Sequence, residues 1–516
     1  MLIEFCSEDN LKNVIQNCSS HQKDIEVMAS NSPFLWFRAA PGKKEKLVAP
    51  TSKSLLTKDG NSPPNEDVLF EELLKCSTVS DQIQLLYDKT KLNDLGVRLR
   101  YMVARQLEVI FESLYANIAI RPFGSSVNGF GRMGCDLDLV LTNVVTKEMS
   151  DANKRLVFQE KRCEGGRSAW QRQLELAAEL LELRAAGATR VQRILHARVP
   201  IVKYAHELAD VECDLCYSNM SGVYMSELLW LFGSLDSRVR PLTFAVRRWA
   251  AAAGLTSAHP GRWITNFPLT LLVLFFLQQD TKAGRVLPTL KELVKMAGKD
   301  DIRVAEENVN CTFLRDMNKL SPDSYGQNRD SLETLLLQFF EFYAQFDFQD
   351  KAISINDGVP VRKPNALPLY IVNPLEQALN VSRNVSYEEC QRLQAEVRNA
   401  AWQLEAGLEG QKSDDWGLLG LIERKASRGL KKLLRVGNSH RLVSVKDLFR
   451  DNEKESEEGI RSKLERLTQK NETEGVREMK KDLDNKIEGK GRNEPLKFKN
   501  RQVANEVMRI RRNKLL

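Results

Sequence analysis

The sequence has little of what marks a secreted or membrane-spanning protein. Its 516 residues include nine cysteines, an odd and scattered set unlike the dense, even framework of a disulfide-stapled domain. The longest apolar run, 267–277, contains a proline and is much shorter than the ~20 residues that a spanning helix needs. The N-terminal residues MLIEFCSEDN resemble neither a signal peptide nor an Arg- and Ser-rich transit peptide. These absences predict a reducing compartment and no membrane segment.

Signatures of several common enzyme and metal-binding classes are also missing. No P-loop of the form G-x-x-x-x-G-K-[ST] occurs, which disfavours an ordinary P-loop ATPase. Cys213 and Cys216 form a lone C-x-x-C without a second ligand pair at zinc spacing. The formal net charge of +7 is compatible with a polyanionic partner but is common in proteins that bind none. Composition therefore leaves the partner open.

Four regions of the chain differ in pattern. Residues 1–66 hold a short strand-like segment and then a stretch rich in Lys, Ser, Pro and Gly, as in a linker. Residues 112–222 combine Gly-rich turns with short strands, while 67–111 and 223–406 have helical apolar spacing. Residues 407–516 are highly charged, which predicts a partly disordered tail whose basic end could touch RNA. The expected fold class is α+β, with a small mixed-sheet palm, a helical domain and this tail.

The most informative residues are three aspartates in strand-like surroundings. Asp136 and Asp138 are separated by one residue, so on a strand both carboxylates project to the same face. Like charges held together favour a bound cation, and oxygen ligands suit Mg²⁺ or Mn²⁺. Asp214, in the segment VECDLC, can extend the same face from a neighbouring strand. Three carboxylates can hold two metal ions and act on a phosphate substrate.

A glycine and a serine make this motif more specific. D-x-D alone occurs often by chance. Gly124 and Ser125, however, stand just before it, with Ser125 eleven residues ahead of Asp136. Glycine lets the backbone approach closely, and a serine hydroxyl with backbone N–H groups can bind a terminal phosphate. The combination indicates nucleotide chemistry.

The spacing Gly-Ser, ten residues, D-x-D resembles the DNA polymerase β-like nucleotidyltransferase superfamily, and PFGSSVNGFGRMGCDLDL resembles mitochondrial poly(A) polymerases. The resemblance spans about 69–416 and continues through VQRILHARVPIVKY, LDSRVRPLTFAVRRWA, WITNFPLTLLVLFFLQ, NCTFLRD and LYIVNPLEQALNVSRNVS. It implies a catalytic palm joined to a helical PAP-associated domain, and template-independent transfer of AMP from ATP to RNA 3′ ends. It also implies two Mg²⁺ or Mn²⁺ ions and a location in the mitochondrial matrix.

The resemblance also assigns roles to individual residues. The catalytic metal ligands would be Asp136, Asp138 and Asp214, and the nucleotide-binding residues would be Gly124, Ser125, Asn219, Ser226, Arg247 and Phe267. Asn219 would contact the sugar and base edge, and Arg247 the triphosphate. Phe267 would stack on the base, a contact almost indifferent to base identity, although a core aromatic is the alternative interpretation.

Two positions depart from relatives of the same superfamily. Ala251 stands where these relatives usually carry a second basic residue, which predicts a weaker hold on the triphosphate. Leu379 precedes Asn380 and Val381, where uridylyl-adding relatives often carry a histidine that reads uracil. The absence of that donor favours ATP over UTP.

The N-terminal MLIEFC resembles only the last strand of the RNP-like domain that precedes the catalytic region in these polymerases. That domain takes part in dimerisation in the family, so a homodimer stays open. Two other functions are considered. A terminal uridylyltransferase would differ at the base-reading position, and a catalytically silent RNA-binding scaffold would be expected to lack one or more of the three acids.

Overall fold

The computed structural model describes residues 5–17, 62–112, 118–143, 166–197, 199–257, 261–320, 325–409 and 416–422. All of them belong to one compact unit that runs from Met1 to Gly429. The helices are α1 Glu8–Asn17, α2 Glu66–Leu74, α3 Val79–Thr90, α4 Asp94–Phe111, α5 Gly166–Arg184, α6 Met220–Leu235, α7 Val239–Ala252, α8 Asn266–Leu277, α9 Leu290–Lys295, α10 Leu332–Gln345, α11 Tyr387–Glu409 and α12 Leu418–Ile422.

A five-stranded mixed sheet forms the palm. Its strands are β1 Ile118–Phe123, β2 Leu137–Asn143, β3 Ala188–Ile194, β4 Ile201–His206 and β5 Val211–Tyr217, in the order β1-β2-β5-β4-β3. Strands β2 and β5 are parallel, and the other three neighbouring pairs are antiparallel. A further two-stranded sheet pairs β6 Lys351–Ala352 with β7 Val361–Arg362. The predicted fold class, a small mixed sheet with helices plus a helical domain, is confirmed.

One face of the palm sheet is buried under helices α4 and α5. Alternate residues of β2, Leu137, Leu139 and Leu141, share a core with side chains of both helices. Because successive strand residues point to opposite faces, Asp138 must project away from this core. Helix α4 supplies Val103, Leu107 and Phe111 to the core, so the packing around the sheet begins ahead of the boundary predicted at residue 112.

The remaining helices pack around a second, larger core. Helix α8, NFPLTLLVLFFL, lies at its centre, and its residues from Pro268 to Leu277 are all buried. The segment therefore folds as the buried helix that its composition predicted. Among the described residues, no helix is both long and apolar enough to cross a bilayer.

The predicted charged tail begins later than residue 407. Helix α11 continues to Glu409, and Trp416 is buried in the helical core together with the four Leu and Ile residues next to it at positions 418, 419, 421 and 422. The backbone N–H of Leu418 donates to Gln82 Oε1 on α3 at 2.8 Å. A short apolar helix lies within a region whose composition is otherwise charged, so the segment 416–422 belongs to the core and not to the tail. The rest of the predicted tail, 423–516, lies outside the described residues.

Only part of the N-terminal region, residues 1–66, lies within the described residues. Residues 5–17 include the exposed helix α1, which the sequence reading did not predict. The strand-like residues 1–4 and most of the predicted linker, 18–61, lie outside the described residues.

Candidate active site

The sheet brings the three predicted acids to one place. Strands β2 and β5 are adjacent and parallel, with Asp138 directly opposite Asp214 in the register. Asp136 lies just before β2, two residues from Asp138, and its side chain is 59% exposed. Asp214 is more enclosed, with 24% of its side chain exposed. The period-two spacing therefore places the carboxylates as a group at one end of β2, on the face opposite the palm core.

Burial and mutual repulsion disfavour a negative charge on these acids. Burial, followed by the charges of Asp214 and Asp136, raises the pKa of Asp138 to about 7. Burial also raises the pKa of Asp214, although a hydrogen bond from Lys203 opposes that shift. Carboxylates in this environment are ionised more readily when a cation is close by.

Lys203 supplies one positive charge, and sequence reasoning missed it. It lies on β4 directly opposite Asp214, and its Nζ is 3.1 Å from Asp214 Oδ1 and 4.0 Å from Asp136 Oδ2. Burial lowers the pKa of Lys203, but the hydrogen bond to Asp214 and the neighbouring negative charges outweigh it, so the pKa is raised. The available signal was a lysine between two buried residues of a strand, Val202 and Tyr204.

The donor set suits hard divalent cations. Mg²⁺ and Mn²⁺ prefer carboxylate oxygens, and the acids here repel one another until a cation screens them. In the described part of the chain, no three acidic, His or Cys side chains are already drawn together as a ready-made metal cage. The three carboxylates are thus neighbours, but their oxygens do not point to one common position, and the ammonium group of Lys203 lies between Asp136 and Asp214. Bound ions would have to bring them closer.

The Gly-Ser turn lies directly against Asp138. Gly124 has φ +69°, and a Cβ atom there would lie 2.1 Å from Asp138 Oδ2. Its backbone N–H donates to Ser226 Oγ at 2.7 Å, and Ser226 Oγ donates to the Gly222 carbonyl at 2.8 Å. Ser226 is only 4% exposed, so its hydroxyl anchors the turn to α6. Ser125 is partly exposed and makes no side-chain hydrogen bond within the described residues.

A buried arginine that the sequence reading also missed fixes the loop between the Gly-Ser turn and the aspartates. Arg100 of α4 is 1% exposed, and its Nε donates to Ser126 Oγ at 3.1 Å. Ser126 Oγ donates in turn to the Asp136 carbonyl at 3.1 Å, and Arg100 also donates to the carbonyls of Cys135 and Gly96. Both ends of the loop are therefore tied to one helix.

Asn219 lies where β5 passes into α6. Its side chain caps the helix by accepting from the Gly222 N–H at 3.3 Å. Glu306 holds the same turn, accepting from the Met220 N–H at 2.9 Å and from Ser218 Oγ at 3.1 Å. Glu306 was not predicted either, because it begins a short 3₁₀ helix, Glu306–Asn308, that lies 86 residues further along the chain than Met220.

The last two predicted nucleotide contacts lie in the helical part. Arg247 donates through Nη1 to the Phe130 carbonyl at 2.7 Å and through Nη2 to Thr270 Oγ1, and burial lowers its pKa to about 10. The Arg247 side chain thus connects α8 to the loop between the Gly-Ser turn and the aspartates. Phe267, in the first turn of α8, is partly buried against the helical core. Contact of either residue with a nucleotide stays a prediction.

Comparison with known proteins places this site in a family. Residues 79–234 match the central palm domain of the mitochondrial-like poly(A) RNA polymerases, and 331–374 match the Cid1 family poly A polymerase domain. The mitochondrial poly(A) RNA polymerase of Drosophila melanogaster is 46% identical over 468 residues, which cover 88% of this chain and 75% of that protein. This chain belongs to the mitochondrial poly(A) RNA polymerase family.

Two further members of the family agree with this assignment. The human mitochondrial poly(A) RNA polymerase is 36% identical over 87% of this chain and 76% of its own length. A crystal structure of mtPAP with ATPγS superposes with a TM-score of 0.67 at 32% identity, covering 74% of this chain and 80% of that one. The same polymerase has also been crystallised with UTP, GTP and CTP. The family resemblance inferred from the motifs is confirmed.

Proposed function

We propose that this chain is a template-independent polymerase that adds AMP from ATP to the 3′ end of RNA. The observation that supports this most strongly is the register of Asp138 opposite Asp214, with Asp136 and the Gly124 turn against them. A silent scaffold would have no need to keep three repelling carboxylates side by side, since each unscreened like-charge contact costs stability.

Asp136, Asp138 and Asp214 are the residues that would hold Mg²⁺ or Mn²⁺. When bound, two such ions would favour loss of the proton from the RNA 3′-hydroxyl and offset the charge of the departing pyrophosphate. The side chains themselves contribute placement. Paired strands hold Asp138 and Asp214, and the Arg100–Ser126 bonds hold the backbone of Asp136.

The Gly-Ser turn has two separate roles in this proposal. Gly124 contributes by its missing side chain, because its own N–H is already bonded to Ser226 and any Cβ would strike Asp138. Phosphate binding therefore falls to Ser125, whose hydroxyl and backbone N–H can reach a terminal phosphate oxygen. Ser226 acts through the turn and need not touch the nucleotide. Arg247 would bind phosphate only after leaving the carbonyl of Phe130.

The residues proposed to contact the base would give only a weak preference for ATP over the other nucleotides. Phe267 could stack on any base. Leu379 is partly exposed next to Asn380, whose amide is bonded to Leu369 and Ile371 and so fixes this loop. An aliphatic side chain offers no hydrogen bond to uracil. The crystals of mtPAP with four different nucleotides agree with a pocket that binds several bases.

The proposed setting follows from the relatives. Those compared above are named as mitochondrial enzymes, which supports a mitochondrial location for this chain. We propose that it acts on RNA in the matrix. A homodimer stays part of the proposal. The alternative of uridine addition is retained as an outcome of the experiment.

The function is tested by extension of a labelled RNA primer with Mg²⁺ and each nucleotide separately. ATP alone should give long products, and Asp138→Ala should reduce the rate on the order of a thousandfold or more while the protein stays folded, because a metal ligand is lost. The control is Asp88→Ala, a surface aspartate of α3 paired with Lys91, which should retain activity. Preference for UTP would transfer the assignment to the uridylyl branch. Normal rates in Asp138→Ala would refute the proposed metal ligands.

A further inference from the structure

Lys203 occupies the position between two of the proposed metal ligands. Its ammonium group bridges Asp214 at 3.1 Å and Asp136 at 4.0 Å, and only 33% of its side chain is exposed. Among the described residues, no other basic group lies within salt-bridge distance of the three aspartates. Within the described part of the chain, Lys203 is therefore the one nearby positive charge that can offset the negative charges of the three carboxylates.

A lysine cannot share this position with a metal ion. A protonated amine has no lone pair to offer as a ligand, and its charge repels a divalent cation. Asp214 Oδ1 accepts the hydrogen bond from Lys203, so that oxygen has one lone pair fewer for a metal. The four-carbon lysine stem is flexible and can carry the charge away when a stronger cation arrives.

We propose that Lys203 is a resident counter-cation that holds Asp214 and Asp136 against their repulsion in the metal-free enzyme and is displaced when the ions bind. This inference rests on the proposed metal site. Lys203 then has two opposite effects: it stabilises the empty site, and it lowers the affinity of that site for a metal ion. The ions then bind best when nucleotide phosphates arrive with them and add further oxygen ligands.

The test uses Lys203→Met in the full chain, with Mn²⁺ alone as the probe. Free Mn²⁺ is followed by its electron paramagnetic resonance signal, and the melting temperature is recorded in EDTA and in Mn²⁺. Lys203→Met should melt earlier than the wild type in EDTA, and it should bind Mn²⁺ more tightly by about tenfold, as expected for removal of a half-buried competing charge. Lys203→Arg, which keeps the charge, should stay close to the wild type in both measurements.

Two controls separate this idea from a general effect of losing a surface charge. Lys89→Met removes a lysine that is paired with Glu72 at 2.9 Å and with none of the three aspartates, and it should leave Mn²⁺ affinity unchanged. In an Asp214→Asn background, Lys203→Met should lower the melting temperature by less, because the closer of its two carboxylate partners has lost its charge. This double-mutant comparison decides the matter even if the single variant is too unstable to titrate with Mn²⁺.

The outcomes distinguish the two proposals. If Asp136→Asn and Asp138→Asn leave Mn²⁺ binding unchanged, the metal site itself is wrong. If those variants lose Mn²⁺ but Lys203→Met binds it no more tightly than the wild type, the metal site stands and the counter-cation role is overturned. Equal melting temperatures for Lys203→Met and the wild type in EDTA would overturn it as well.

Discussion

Gly124 shows how one missing side chain can leave room for a carboxylate that is proposed to bind metal. Its φ of +69° is costly for other residues, and a Cβ there would press against Asp138. Gly124→Ala should therefore reduce primer extension by about a hundredfold or more, because misplacing a reacting group by about 1 Å costs that much. Gly284→Ala is the matched control, since Gly284 has φ +85° with no atom within 4 Å of the added Cβ. Similar losses in the two variants would mean that backbone strain alone matters.

For individual residues, the sequence predicts the positions of the aspartates better than it predicts the basic residues that contact them or their loop. A two-residue spacing needs only the geometry of one strand, so the shared face of Asp136 and Asp138 could be inferred directly. Lys203 and Arg100 gave no comparable signal. Lys203 meets Asp214 because β4 pairs with β5, and Arg100 meets Ser126 across 26 residues of chain. Such contacts depend on strand order and helix packing, which no local pattern encodes.

Helix α12 is an element whose stability depends on a turn. Gly417 has φ +60°, and an added Cβ would lie 2.6 Å from both Gln82 Oε1 and Val79 Cγ2 of α3. We expect Gly417→Ala to lower the free energy of unfolding by about 1–3 kcal/mol, as strained backbone and overpacking do, with a matching fall in denaturation midpoint. Gly326→Ala, at φ +77° in open space, should cost less. The burial of α12 indicates that it stabilises the fold. If both variants unfold at the wild-type midpoint, that contribution is absent.

The elements also show where composition misled the sequence analysis. The buried helix α8 was predictable because its apolar run is long enough to dominate its surroundings. The five residues of α12 were not, because the charged residues around them outweighed a short apolar segment. Helix α4 has helical spacing that predicts a helix but does not say which of the two cores it joins. The α+β class could thus be predicted, whereas the cores that α4 and α12 join could not.

At the scale of the whole molecule, the two cores differ in their buried ionisable groups. The palm buries His206, whose Nε2 lies 2.9 Å from Gln106 Oε1 and whose Nδ1 accepts from the Ala209 N–H. Burial lowers the pKa of His206 to about 4. Among the described residues, His206 is the only buried histidine, so the larger core formed by the helices around α8 has none. The contribution of a buried histidine to the pH dependence of stability therefore belongs to the palm.

The sign of the pH effect follows from proton binding. The unfolded chain binds a proton on His206 near its ordinary pKa of about 6.5, whereas the folded palm resists it until about pH 4. Stability from the neutral imidazole is thus fully present above about pH 6.5 and falls by about 3 kcal/mol as pH drops to about 4. Protonation of Asp138, whose pKa is raised to about 7, changes the stability of the palm in the opposite direction, so the His206 contribution is measured against a variant. Between pH 7.5 and pH 5, β4 should lose less hydrogen-exchange protection in His206→Gln than in the wild type, while α8 responds alike in both proteins. An equal loss of β4 protection in the wild type and in His206→Gln would contradict the prediction, because His206 would then contribute nothing to the pH dependence of the palm.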